Sequence, residues 1–377
     1  MATGSDQQGA WAVLRTSVAE GAKPPTVRGG HTAVLVEKNL IVQGGQQHKS
    51  GGVFEYFSLN PHVLDTETHT WFEPRVALGK GPTPRAYHTS TRVGSGLYIF
   101  GGSTAKKAGE SGLLGDLVIF NLVSMAWESK DVRGKKPRSR FMHSAELSDG
   151  KLFVYGGSDG TKSLSDVNVL DVTTMLWSQP QVSGSIPPGL QAHSCTLVGD
   201  RLFLVGGMTV SSDEKAHSFI KYSNDVYVLS TDRCDTPPAA SSTPQPAHPS
   251  RGPSLALHPL GLTITPRSLG VCSMEWMRLQ QRGELPKPRS YHASAVVGNF
   301  LVVLGGWSGA CENLSTLSTL DLDGLGTWAS VTVPGQPPAG VYGHTATVLG
   351  SNILLFGGWD GVSPLSAVNV LDTTKLG

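Results

Sequence analysis

The chain is 377 residues long and carries 30 Lys and Arg against 29 Asp and Glu, a formal charge of +1. That balance excludes a globally basic nucleic-acid binder driven by phosphate neutralisation. No apolar run approaches the roughly 18 residues of a membrane span, and 46 Gly with only 16% charged residues favour short strands joined by turns over helices.

The first residues, MATGSDQQGAW, are polar and lack the apolar core of a secretory signal. Four cysteines, Cys195, Cys234, Cys272 and Cys311, lie far apart with no CxxC pair, so neither a disulfide framework nor a zinc knuckle is expected. These features read as a reduced, cytoplasmic protein, with the nucleus left open.

In chain order, Trp11 in GAWAVL comes first, as a short strand. His31 then opens HTAVLV, a turn at Glu37-Lys38-Asn39 follows, and LIVQGG ends at Gly44-Gly45. After a variable loop and another strand comes Trp71. The same order returns at His88, with LYIFGG ending at Gly102, strand GDLVIFN and Trp127. It returns again at His143, with LFVYGG ending at Gly157, SDVNVLD and Trp177. His193 begins a fourth unit, with LFLVGG ending at Gly207, NDVYVLS and then Trp276. His292 to Gly306 and Trp328 make a fifth, and His344 to Gly358 a sixth. In all six the His stands 13 residues before the first Gly of the pair, and six of the 12 histidines occupy this register. The apolar runs before Gly-Gly read as strands buried on both faces.

Each unit is therefore four strands: a after the His, b before Gly-Gly, c with Asp-Val, and d with Trp. Repeats of this size predict a β-propeller. Aligning SDVNVLD (165–171) with SAVNVLD (366–372) places Asp372 on Asp171 and the counterpart of Trp177 at 378, so the sixth unit lacks strand d. Trp11 has no a, b or c of its own, and the N-terminal strand is expected to complete the last blade. Residues 233–270, rich in Pro, Ser and Ala, read as a disordered insertion in blade 4.

The pattern Pro-Arg-x-x-His, Gly-Gly, Asp-Val-x-x-Leu-Asp, Trp resembles the kelch repeat from Trp11 to Leu376 except the insertion, within a single domain of 1–377. The resemblance implies an all-β, six-bladed kelch propeller with four antiparallel strands per blade. It further implies a non-catalytic scaffold or adaptor for a protein partner. A vesicle-trafficking role like that of kelch-type Rab effectors, substrate receptor of a ubiquitin ligase, and cytoskeletal association are the alternatives. A metal-dependent enzyme ranks last: the copper radical oxidases and iron-binding specifier proteins with this fold carry site residues that this sequence lacks.

The Gly-Gly pairs have no phosphate-loop context. The six His read as polar bridges between blades and the Trp as blade packing; no catalytic, cofactor or metal residues are expected. Binding is expected on the face shared by the d–a and b–c loops. Candidates there are Lys106, Lys107, Arg133, Lys135, Lys136, Arg138 and Arg140, which suit an acidic or phosphorylated partner segment. Trp307 and Trp359, outside the strand-d register, are the candidate apolar anchors. The expected protein is monomeric, with no nucleic-acid partner and no membrane span.

Overall fold

The structure, a computed structural model, describes residues 10–49, 52–77, 81–106, 111–212, 218–231, 274–309, 312–323 and 326–376. The expected insertion, 233–270, lies outside the described residues, as do Lys107, Cys234, Cys272 and Cys311.

Six sheets stand around one axis. Blade 3 shows the pattern: strand a Ser144–Ser148, b Lys151–Tyr155, c Val167–Asp171 and d Leu176–Ser178, each antiparallel to the next. The innermost strands contact one another in sequence around the ring, and strand a of blade 6, Thr345–Leu349, returns to strand a of blade 1, Thr32–Val36. The last four residues of strand b are buried in every blade, which explains why they are largely apolar without alternation, and strand c is as deeply buried in blades 3, 4 and 5.

Blade 6 is completed by Trp11–Val13, which pairs with Val368–Asp372. Trp11 lies opposite Leu371, just as Trp177 lies opposite Leu170 in blade 3. The N-terminal strand thus occupies the same register as every internal strand d.

Tryptophans of strand d fill the seams between blades. Trp71, Trp177, Trp276 and Trp328 are buried, and Trp177 packs against Phe100 of the preceding blade at 5.4 Å between ring centroids. Glycine pairs sit where blades touch. A Cβ on Gly101, at φ +64°, would meet the Arg140 carbonyl at 2.7 Å and His143 Cε1 at 2.8 Å, so only glycine fits.

Two features depart from the four-stranded expectation. Blades 1, 3, 4 and 5 carry a short fifth strand on their outer edge, parallel to strand d, as in Arg133–Gly134 beside Leu176–Trp177. The chain leaving one blade runs up the edge of the next before turning inward. Second, the b–c connections of blades 1 and 4 are hairpins, Gln46–Lys49 with Val53–Tyr56 and Met208–Ser212 with Ser218–Tyr222.

Among the described residues no helix is long and apolar enough to cross a membrane.

Candidate docking face

At every blade the end of the d–a connection bridges the start of the b–c connection, so both lie on one face: Gly29 with Gln46, Ala86 with Ser103, Phe141 with Ser158, and so round to Tyr342 with Trp359. The next residue in each case holds a left-handed conformation: Gly30, Tyr87, Met142, Ala192, Tyr291 and Gly343. Their backbones close a circle. Tyr87 N–H donates to the Gly30 carbonyl (2.7 Å), Met142 to Tyr87 (3.0 Å), Ala192 to Met142 (2.9 Å), Tyr291 to Ala192 (2.8 Å), Gly343 to Tyr291 (2.8 Å) and Gly30 to Gly343 (3.1 Å). This collar surrounds a hollow of about 140 Å³ at the axis.

Beneath the collar lie the six register histidines, all buried. Nε2 of His88 meets Oγ1 of Thr32 (3.1 Å), His143 meets Thr89 (3.1 Å), His193 meets Ser144 (2.8 Å), His292 meets Ser194 (2.9 Å) and His31 meets Thr345 (3.2 Å). The expected bridges between blades are present: five rings meet side-chain hydroxyls of the preceding blade, and backbone hydrogen bonds with Phe356, Phe100, Leu190 and Val205 also act on His31, His143, His193 and His292. Burial holds the rings neutral: it lowers His31 to about 3 and His193 and His344 to about 4, and pushes His88, His143 and His292 well below the usual range. Among the described residues no three His, Cys, Asp or Glu converge as a metal site.

Above the collar the mouth is aromatic and lopsided. Tyr291 stacks obliquely on Tyr342 (6.1 Å), which meets Trp307 (5.5 Å), while Tyr87 lies 5.9 Å from Tyr291 and 6.3 Å from Phe141. The Trp359 indole covers the backbone at Gly29, where even a Cβ would collide with it. Both Trp307 and Trp359 are half-buried, with their backbones pinned at the base of the b–c loops. Within the bridges between the d–a and b–c connections, Gln46 Oε1, Gln191 Oε1 and Ser290 Oγ are buried without a hydrogen-bond partner among the described residues. Such atoms call for a water or a ligand group.

The basic stretch of 129–140 does not gather at this mouth. Arg133 lies on the outer edge of blade 3 near its c–d turn, donating to the Thr174 carbonyl. Lys135 and Lys136 follow along that edge, exposed, and Arg138 reaches the top, 3.4 Å from Asp159. Arg140 is fully buried: it holds Asp166 through two bonds of 2.8 Å and the Gly156 carbonyl at 2.9 Å. Arg85 does the same with Asp116 and Gly101. Both belong to the frame, where the Pro-Arg-x-x-His register puts them. Lys106 is exposed on the b–c loop of blade 2.

Sequence reasoning passed over the mouth tyrosines Tyr87, Tyr291 and Tyr342. Their signal was available, since each lies one or two residues before a register His. A larger hollow, about 450 Å³, opens between blades 4 and 5 and is walled by Phe203, Val228, Leu320 and Leu322. A smaller version between blades 1 and 2 marks it as a seam common to stacked blades.

The sequence matches the KLHDC2/KLHL20/DRC7 Kelch-repeats domain over residues 7–207 and 268–377. It is 29% identical to host cell factor of Drosophila melanogaster over 380 residues, covering 89% of this chain and 21% of that protein. It is 37% identical over 98 residues to human kelch domain-containing protein 1, covering 26% of this chain and 23% of the relative. Over 99 residues it is 39% identical to the Gallus gallus Rab9 effector protein with kelch motifs, covering 26% of each. The chain thus spans under a quarter of the length of the first two relatives. The solved structure of YjhT superposes with a TM-score of 0.60 at 14% identity, covering 91% of this chain and 95% of that one, a likeness of fold.

Proposed function

The chain belongs to the kelch-repeat family, whose members are in general non-enzymatic interaction modules, and on that premise we propose that it is a non-catalytic scaffold that docks a partner protein at the mouth. The observation that carries this reading is the concentration of half-buried aromatic rings, Tyr291, Trp307, Tyr342 and Trp359, around one side of the collar. Aromatic anchors over a recessed, rigid floor are where binding energy concentrates. In this reading the protein acts as a cytoplasmic monomer.

An acidic or phosphorylated flank of the partner has a place in the same scheme. Arg133, Lys135, Lys136 and Arg138 form an exposed stripe down the edge of blade 3, away from the mouth. A chain leaving the mouth over blade 3 meets them in turn. The trafficking version, with a Rab-type partner, rests on the partial match to the Gallus gallus relative.

The test is affinity capture with mass spectrometry using the wild type, Trp307→Ala with Trp359→Ala, and Val123→Ser, an exposed control on the opposite face. Partners should be lost from the double variant and kept by the control. Partners retained equally by all three would overturn the reading.

A further inference from the structure

The seam between blades 4 and 5 departs from the others at two positions, and both lie on its hollow of about 450 Å³. The first is a missing plug. In blades 2, 3 and 4, Met125, Met175 and Met274 stand two residues before the strand-d tryptophan, and each packs into the seam shared with the preceding blade. Blade 5 has Gly326 there, with no side chain to offer. Between blades 1 and 2, where Met125 is present, the corresponding hollow is about 270 Å³.

The second is a charge. Strand b begins with Asn39, Gly96, Phe300 and Asn352 in blades 1, 2, 5 and 6, and with Lys151, opposite Asp171, in blade 3. Blade 4 begins it with Arg201, opposite Ser230. Alternation puts Arg201 on the same side of the strand as Phe203, which packs with Leu301 and Leu320 of blade 5. The Arg201 side chain lines the hollow and is 11% exposed, and its Nη1 is buried without a hydrogen-bond partner among the described residues. Asp200, itself 56% exposed, comes only to 3.9 Å from Nε. A guanidinium does not lose its proton in a protein, so a buried one with a vacant N–H calls for an anion.

We propose that this hollow binds a small apolar monocarboxylic acid, its hydrocarbon body against Phe203, Val228, Leu320 and Leu322 and its carboxylate on Arg201. Apolar walls around a few hundred Å³, with a charged group to fix orientation, are the usual form of a small-molecule site. The other charged residues that line it set the ligand's charge. Arg278 is held by Asp225 at 2.6 Å, Asp321 accepts from Asn299 and from the Asp323 amide (both 3.0 Å), and Glu275 and Arg282 are exposed on the outermost strands. One vacant guanidinium suits one negative charge, whereas a phosphate dianion brings a second that Asp321 and Glu275 repel. The hollow lies between the start of strand b and the c–d turn of blade 5, away from the docking face. It therefore stands or falls independently of docking at the mouth.

The experiment is isothermal titration calorimetry on the full chain with octanoate and with 2-naphthylacetate, and with octanol as a neutral counterpart. Three variants accompany it: Arg201→Gln, Met277→Trp, which enlarges a half-buried wall residue, and removal of 233–270. The expected result is saturable binding of at least one acid, weakened about tenfold or more by Arg201→Gln and stronger by the same factor than that of octanol. Met277→Trp should melt like the wild type and bind neither acid; if it does not fold, Arg201→Gln and octanol decide. The better of the two acids tells a linear body from an aromatic one. No saturable binding, or binding indifferent to Arg201→Gln, overturns the proposal. Binding retained by a folded Met277→Trp places the acid elsewhere and overturns it too. Binding that appears only when 233–270 is removed makes that segment the occupant and overturns the small-molecule site.

Discussion

Ala293 stands opposite His344, in the position where each of the other five blades places a Ser or Thr against the histidine of the next blade. As a result His344 Nε2 is buried with no hydrogen-bond partner among the described residues. The histidine ring is complete in residues and incomplete in bonds. Ala293→Ser supplies the missing hydroxyl and is expected to stabilise the protein by about 0.5–1.5 kcal/mol, whereas Ser194→Ala leaves His292 in the same condition and costs about 1–3 kcal/mol. Thermal melting of the two variants checks both signs; destabilisation by Ala293→Ser would show that the gap is needed.

The histidines also set the acid limit. Their folded pKa values lie below the usual 6.5, near 3 for His31 and near 4 for His193 and His344, because burial disfavours the charged ring. The unfolded chain therefore binds more protons as pH falls below 6.5. The rings' contribution to stability should be level above that pH and then drop by about 1.4 kcal/mol per pH unit for each ring, until the folded values are reached. Urea midpoints at pH 8, 6 and 5 would reveal this, and a flat profile would mean that the rings are already hydrated or charged.

Glu146 works in the opposite sense. It lies on strand a of blade 3, and burial raises its carboxyl to about 7. Here the folded state binds the extra proton, so ionisation opposes folding as pH rises from 4.5 to 7. Glu146→Gln should stabilise the protein at pH 8 by about 3 kcal/mol at most, and the gain should vanish by pH 4.5. A gain independent of pH would point to a packing effect.

Arg140 and Asp166 form a paired, doubly bonded contact inside the frame. Arg140→Leu strands the carboxylate and two carbonyl acceptors, and should destabilise by about 3–5 kcal/mol. Arg138→Leu, two residues away and 64% exposed, should change stability by less than about 1 kcal/mol. Equal effects in chemical denaturation would contradict this division of roles.

Removing residues 1–16 deletes the strand that finishes blade 6, together with buried Ala10, and uncovers the edge of Val368–Asp372. The truncated protein should melt well below the full chain and self-associate through that edge. Val13→Thr, at a side chain 66% exposed, should leave both properties unchanged. Light scattering and melting curves distinguish the two.

The frame was legible because it repeats. His, Gly-Gly and Trp recur at fixed spacing, since each blade must meet its neighbours in the same way, and even the Trp11–Leu371 register follows from that spacing. What distinguishes one blade from another was less legible. The fifth strands hide in Pro-rich linkers, where Gly134 approaches the Trp177 carbonyl too closely for any side chain. The blade 4 hairpin has no Gly or Pro turn signal between its strands, and the exposed Val53, Phe54, Phe219 and Ile220 of the two hairpins resemble core residues in sequence. The basic run looked like one patch because its residues are consecutive. An extended connection instead spreads Arg133 to Arg138 along the edge of blade 3 and buries Arg140.

The pairing of Trp11–Val13 with Val368–Asp372 also orders events during synthesis. At roughly 5–20 residues per second, Trp11–Val13 waits on the order of 20–70 seconds for its mate. The collar of hydrogen bonds can join up once Gly343 is free, before that mate has been made. The nascent protein must therefore shield an unmatched strand over this interval, in which chaperone contact with Trp11–Val13 has the most to protect.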